Sequence, residues 1–199
     1  MTRLILASTS AARYEMLARA GVECDVMAPM VDEDAIKESL CAEGVGARNV
    51  ADALAEAKAM KLSGRHPAAL VIGADQTLAL EEGAMLDKPE SPETAKAQLA
   101  AMAGKTHKLF SAAVVAEAGS AVWRFVATSR MTVRPLSDAF VDSYVGQHWQ
   151  DIRHCVGCYQ VEGAGAQLFS RIEGSHFDIM GLPLLPLLGF LRERGILAI

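Results

Sequence analysis

Lys108 to Val133, KLFSAAVVAEAGSAVWRFVATSRMTV, holds two β-rich runs around a short break of small residues. Lys108 to Glu117 and Val122 to Val133 carry the aromatic and β-branched residues that favour strands, and Ala118-Gly119-Ser120 between them fits only a hairpin turn. They predict an antiparallel pair. The chain before them is organised differently. Leu4-Ile5-Leu6-Ala7 is a short apolar run suited to a buried strand, and Ser8-Thr9-Ser10 supplies N-cap residues for a helix over about Ala11 to Ala20, stopped by Gly21. A second amphipathic helix is predicted from about Ala47 to Leu62, closing near Gly64. Leu70-Val71-Ile72-Gly73 follows as a strand leading to Asp75, with Thr77 to Leu80 and Met85-Leu86 as a hairpin turning at Glu82-Gly83. Ser91-Pro92-Glu93 opens a helix that Gly104 ends.

Beyond the long hairpin, Ser137-Asp138 caps a helix to about Val145. Cys158 to Val161 and Gln167 to Ile172 read as strands flanking Gly163 and Gly165, and Leu184 to Arg194 as a closing helix ended by Gly195. Strands alternating with helices, then two long neighbouring strands, predict an α/β fold with a mixed twisted sheet and flanking helices. Residues 1–199 are expected to form one domain, for no repeat, linker or low-complexity tract interrupts them.

Composition narrows the function classes. No apolar run approaches the roughly 20 residues that span a bilayer, and Met1 to Ala7 enters a strand without a cationic flank or an Arg-rich leader. A cytoplasmic protein with no membrane partner is expected. The net charge of −5 argues against gripping nucleic acid, which needs a basic face. The four cysteines are too few for a disulfide scaffold in a chain of this length. Cys155-Val-Gly-Cys158 resembles a metal or redox pair beside His154, but it lacks a second ligand pair, and in a strand its two thiols would point to opposite faces.

Four polar stations interrupt the apolar pattern where strands are predicted to end, which is where α/β proteins place ligand groups. The first is Ser8-Thr9-Ser10-Ala11-Ala12-Arg13, where helix N–H groups and an arginine favour an anion. Asp32-Glu33, read as a loop after Pro29, is the second, and Lys58 on the second helix is the third. Taken singly, these are an ordinary cap, an acidic turn and a surface lysine. The fourth is Ile72-Gly73-Ala74-Asp75-Gln76-Thr77, with Asp87-Lys88-Pro89 close behind; a carboxylate ending an apolar strand is either costly or useful. Carboxylates that hold a divalent cation, with cations that hold phosphate oxygens, suit cleavage of a phosphoanhydride.

In order and spacing, Leu6-Ala7-Ser8-Thr9-Ser10 with Arg13, Asp32-Glu33, Ala57-Lys58-Ala59, Gly73-Ala74-Asp75-Gln76, Asp87-Lys88-Pro89, Gly174-Ser175 and Gly181-Leu182-Pro183 resemble the Maf family over essentially the whole chain. The resemblance implies a fold of two lobes around a deep cleft, related to the inosine triphosphate pyrophosphatases. It implies a house-cleaning pyrophosphatase that cuts a nucleoside triphosphate to the monophosphate and pyrophosphate. By the same resemblance Ser8, Arg13, Lys58 and Lys88 contact phosphate, Glu33 and Asp75 serve binding of Mg²⁺ or Mn²⁺ and activation of the attacking water, and Asp75 is the family's proposed proton acceptor, its role as base or as metal ligand being left open by the sequence.

Gln76 and Glu162 resemble the branch acting on 7-methyl-GTP more than the branch acting on thymidine and uridine triphosphates. Ala12 departs from that branch, which tends to carry an aromatic residue there. The family is linked by name to septum formation, and the alternative reading is a nucleotide-binding regulator of cell division that turns over nothing. Such a regulator has no need of Asp75 with Glu33. The oligomeric state, a homodimer included, is left open by the sequence.

Overall fold

The computed structural model describes residues 2–198; Met1, where the reading of the N terminus began, lies outside them. The strands are β1 (Arg3–Ala7), β2 (Asp25–Met27), β3 (Ala69–Leu80), β4 (Met85–Leu86), β5 (Thr106–Glu117), β6 (Ser120–Val133) and β7 (Phe169–Glu173). The helices are α1 (Ala11–Arg19), α2 (Glu33–Ala42), α3 (Ala47–Ser63), α4 (Pro92–Met102), α5 (Asp138–Ile152), α6 (His176–Ile179) and α7 (Leu184–Glu193). The mixed α/β sheet expected from the sequence is present, in the strand order β2-β1-β3-β5-β6-β7 with β4 on β3. The β5–β6 hairpin turns at Ala118 and Gly119, with φ of 48° and 77°. Positive φ at both central residues is what a two-residue hairpin turn of matching twist requires.

The chain divides into two compact units, and β3, β5 and β6 each contribute residues to both. The first unit takes the described part of Met1–Gln76, Phe110–Ala127 and Ser175–Ile199. Here β1 pairs in parallel with β2 and with β3, the latter in register from Arg3 with Ala69 to Ala7 with Gly73. Both sheet faces are covered, which explains the unbroken apolar runs. One face, through Leu4, Leu6, Leu70, Ile72, Ala113 and Val115, packs against Met16 and Leu17 of α1 and Leu187 and Leu191 of α7. On the other, Ala51, Ala55 and Ala59 of α3 meet Ala112, Val114 and Ala116 of β5, while Leu62 joins Ile5, Ala69 and Val71.

That alanine face lets α3 lie unusually close. A Cβ on Gly73 would strike the Ala55 carbonyl oxygen and stand 2.6 Å from the Ala59 nitrogen. Glycine at 73 is therefore a condition of the packing.

The second unit comprises Thr77–Leu109 and Thr128–Gly174. Within it β4 runs antiparallel to β3, β7 antiparallel to β6 with an irregularity at Thr132/Val133, and α4 packs on α5. Ser91, Ser137 and, in the first unit, Ser10 each accept a backbone N–H at their helix start, so the three caps predicted from sequence form.

Several expectations need correction. Asp32-Glu33 is no loop: Asp32 accepts the Ala35 N–H and Glu33 begins α2. Asp75 does not end a strand, since β3 runs unbroken to Leu80; what ends beside it is the parallel partner β1. The helix predicted to stop at Val145 continues to Ile152, because Gly146 costs too little to break it. Cys158 to Val161 is not a strand but part of an irregular turn, with Gly157 and Cys158 at φ of 79° and 61°. The alternation argument against the cysteine pair therefore fails, although no cluster of three or more metal-binding side chains occurs among the described residues. None of the described helices is long and apolar enough to cross a membrane.

Candidate active site

Alternation along β3 decides what faces what. Gly73 and Asp75 point toward α3, whereas Ala74 and Gln76 point to the opposite face. Because Gly73 admits α3 so closely, Lys58, one residue before Ala59 on that helix, reaches the sheet. Its Nζ donates to Asp75 Oδ1 at 2.5 Å and lies 2.8 Å from Glu33 Oε2. Lys58 and Asp75 are buried at 5% and 7% exposure, while the Glu33 side chain is 44% exposed. The expected surface lysine is thus a buried cation between two carboxylates. Glu33 belongs at this site by position: as the first residue of α2 it stands at the helix's positive end.

On the opposite side Arg13 is held by its own surroundings. Its Nε donates to the Gly181 carbonyl at 2.8 Å and Nη1 to the Ala74 carbonyl at 2.9 Å, with Ser8 Oγ accepting at 3.4 Å. Burial lowers the Arg13 pKa, and the negative charges of Asp75 and Glu33 oppose that fall; a guanidinium stays charged regardless. Gly181 has φ of 97°, and a Cβ there would stand 3.4 Å from Arg13 Nη2. This gives the Gly181-Leu182-Pro183 motif a physical role, making room for the guanidinium. Ser8 is buried and also accepts the Ser10 N–H.

Gln76, expected at the base, is bound on the face away from Lys58. Its Nε2 donates toward Ser111 Oγ at 2.8 Å, Ile179 O at 3.0 Å and Asp178 O at 3.1 Å, and Ser111 Oγ donates to Asp178 O at 2.6 Å. Surrounded by acceptors, the amide nitrogen has one sensible orientation, which leaves Oε1 as the atom for any further contact. The residues on either side of Asp75 are therefore both tied down, Ala74 through its carbonyl to Arg13 and Gln76 through its side chain to α6. Sequence reasoning missed Ser111 and Asp178. Ser111 carried a signal, as the polar residue opening the apolar run Ala112 to Ala116 in β5; the backbone carbonyl of Asp178 carried none.

In the second unit Lys88 and Glu162 are exposed, in a loop and a turn, and both lie within electrostatic reach of Cys155. Ala12 is half-buried in the first turn of α1.

The donor set suits a small divalent cation. Glu33 and Asp75 supply hard carboxylate oxygens that already converge on one cation, the Lys58 ammonium. Mg²⁺ is commonly held by one or two carboxylates together with substrate phosphates, so the lack of a third acid does not count against it.

Comparison with known proteins agrees with the motif pattern. The sequence model described as "Maf-like protein" matches residues 3–194. The chain is 53% identical to the nucleoside triphosphate pyrophosphatase of Sphingopyxis alaskensis, covering 97% of this chain and 98% of that one. It is 50% identical to the protein of the same name from Ruegeria pomeroyi, over 98% and 97% of the two chains. The Caulobacter vibrioides protein, also so named, is 49% identical over 100% and 99%. The chain belongs to the Maf-like protein family.

Proposed function

We propose that this chain is a nucleoside triphosphate pyrophosphatase that cuts between the α- and β-phosphates. The observation that carries the reading is the buried Lys58–Asp75 pair with Glu33, next to Ala74, whose carbonyl accepts from Arg13 in the first turn of α1. In the proposed reaction Asp75 orients a water molecule and takes its proton as the water oxygen bonds to the α-phosphorus. The bond from that phosphorus to the bridging oxygen breaks, and its electron pair leaves with pyrophosphate. Lys58, Lys88, Arg13 and Ser8 neutralise or bind the phosphate oxygens. Glu33 and Asp75 hold Mg²⁺ or Mn²⁺, which when bound supplies positive charge against the phosphates. Its place is in the cytoplasm, clearing nucleotide pools.

The preferred base is a guanine, with 7-methyl-GTP as the proposed substrate. Glu162 supports this, because one carboxylate accepts the N1–H and the 2-amino group of guanine together and favours the positive charge of the methylated ring. Ala12 offers no aromatic face, so a cation–π contribution of about 0.5–2 kcal/mol is missing and the preference is shallow. The test is kcat/KM for 7-methyl-GTP, GTP, UTP and TTP with Mg²⁺ or Mn²⁺, with products identified, in wild type and Glu162→Gln. We expect monophosphate plus pyrophosphate, 7-methyl-GTP first, and a flattened ranking in the variant. UTP or TTP as best substrate removes the base assignment alone. Absence of turnover, or release of orthophosphate, removes the activity.

A further inference from the structure

The strongest unexplained feature of the site is that a lysine ammonium sits between the two carboxylates that would hold a divalent cation. Lys58 Nζ lies within 2.8 Å of Glu33 Oε2 and 2.5 Å of Asp75 Oδ1, the two carboxylates proposed to hold the metal. Arg13 adds a second positive charge acting on the same two acids. Lys58 thus lies directly between the two carboxylates, and Arg13, bonded to the Ala74 and Gly181 carbonyls on the other side of the strand, acts on them at longer range. A divalent cation entering alone would have to displace the ammonium from both acids, or sit beside it with charges unmatched in a site where Lys58 and Asp75 are nearly dry. A nucleoside triphosphate changes the balance. Its phosphates bring more negative charge than one divalent cation neutralises, and they offer Lys58 new acceptors.

We propose that Lys58 is a built-in counter-ion that keeps the divalent cation away from Glu33 and Asp75 while no nucleotide is bound, and yields when the triphosphate draws it away. Metal and nucleotide then bind as one coupled event, and the protein without nucleotide holds metal poorly. The inference rests on the proposed assignment of Glu33 and Asp75 to the metal.

The experiment is a Mn²⁺ titration followed by electron paramagnetic resonance, on wild type and Lys58→Met, each with and without an α,β-methylene GTP analogue that resists cleavage. Wild type should bind Mn²⁺ at least about 10-fold more tightly with the analogue than alone, within the usual range of coupling between ligands. Lys58→Met should bind Mn²⁺ alone at least about 10-fold more tightly than wild type does, with the effect of the analogue reduced. Equal Mn²⁺ affinity of the two proteins without analogue overturns the counter-ion role and leaves the metal assignment standing. Failure of either protein to take up Mn²⁺ even with the analogue overturns both.

Removing Lys58 leaves two carboxylates facing each other, and the variant will be less stable. Thermal unfolding covers that case. Mn²⁺ alone should raise the Tm of Lys58→Met and leave that of wild type almost unchanged; equal responses count against the proposal.

Discussion

Asp75 is a carboxylate at 7% exposure in a strand that is otherwise apolar up to it, and its visible partner is a lysine 2.5 Å away. Replacing it with asparagine keeps the shape and a hydrogen-bonding oxygen toward Lys58 but removes the charge and the proton acceptor. Asp75→Asn should therefore fold as wild type does, by circular dichroism, while kcat falls by at least ~100-fold, the lower end of what a positioned base contributes. A folded variant that turns over near the wild-type rate would remove Asp75 from the chemistry. Asp75 was legible because a buried charge in an apolar run is expensive wherever it is not used. The burial of Lys58 was not, since it depends on what α3 faces and the lysine gives no local sign of it. Gln76 shows the opposite limit. Resemblance to the 7-methyl-GTP branch drew attention to it, yet the period of two along a strand turns it to the face away from Asp75.

Gly73 links packing to chemistry at the scale of the elements. The small face of α3, Ala51, Ala55 and Ala59, lies flat on the sheet because Gly73 has no side chain to hold it off. Gly73→Ala would place a methyl group against the Ala55 carbonyl and the Ala59 nitrogen, both backbone atoms that cannot rotate aside. We expect a stability loss of about 1–3 kcal/mol by urea unfolding, the usual cost of overpacking. A second effect should accompany it: moving α3 outward draws Lys58 from Asp75, so kcat should drop as well. Unchanged stability and rate would show that the helix does not depend on this contact. Helices and strands with strong local signals were read correctly, as the serine caps of α1, α4 and α5 demonstrate. The misread elements fail for physical reasons. The Asp32-Glu33-Asp34 start of α2 carries cap and first-turn signals, but the nearby Pro29 suggested a loop. Cys155 to Val161 is apolar enough for a strand, yet Gly157 and Cys158 fold it into a turn that no alternation pattern reveals.

For the whole molecule, two lobes were implied by the resemblance, but composition does not mark where the units divide, because the boundaries at Gln76/Thr77, Leu109/Phe110 and Ala127/Thr128 fall inside strands and only Gly174/Ser175 lies between elements. The global stability nonetheless has a handle in the second unit. His107 is buried at 1% exposure against the Tyr159 and Phe169 rings; its Nε2 shares a hydrogen bond of 2.8 Å with the Tyr159 hydroxyl, and its Nδ1 has no partner among the described residues. Burial lowers its pKa from 6.5 to about 4. The folded protein then refuses a proton that the unfolded chain accepts, so the stability contributed by neutral His107 is complete above the unfolded value of 6.5 and is lost as the pH falls toward 4. Between pH 8 and pH 5 this one group should cost wild type about 2 kcal/mol, by proton linkage. His107→Gln provides the control, since glutamine can still bond the Tyr159 hydroxyl but does not titrate. Urea unfolding at the two pH values should show wild type losing about 2 kcal/mol more than His107→Gln on acidification, the carboxylate contributions being common to both. Parallel losses in the two proteins would mean that His107 takes up its proton in the folded state as readily as in the unfolded one, and that its burial does not set the acid limit of the fold.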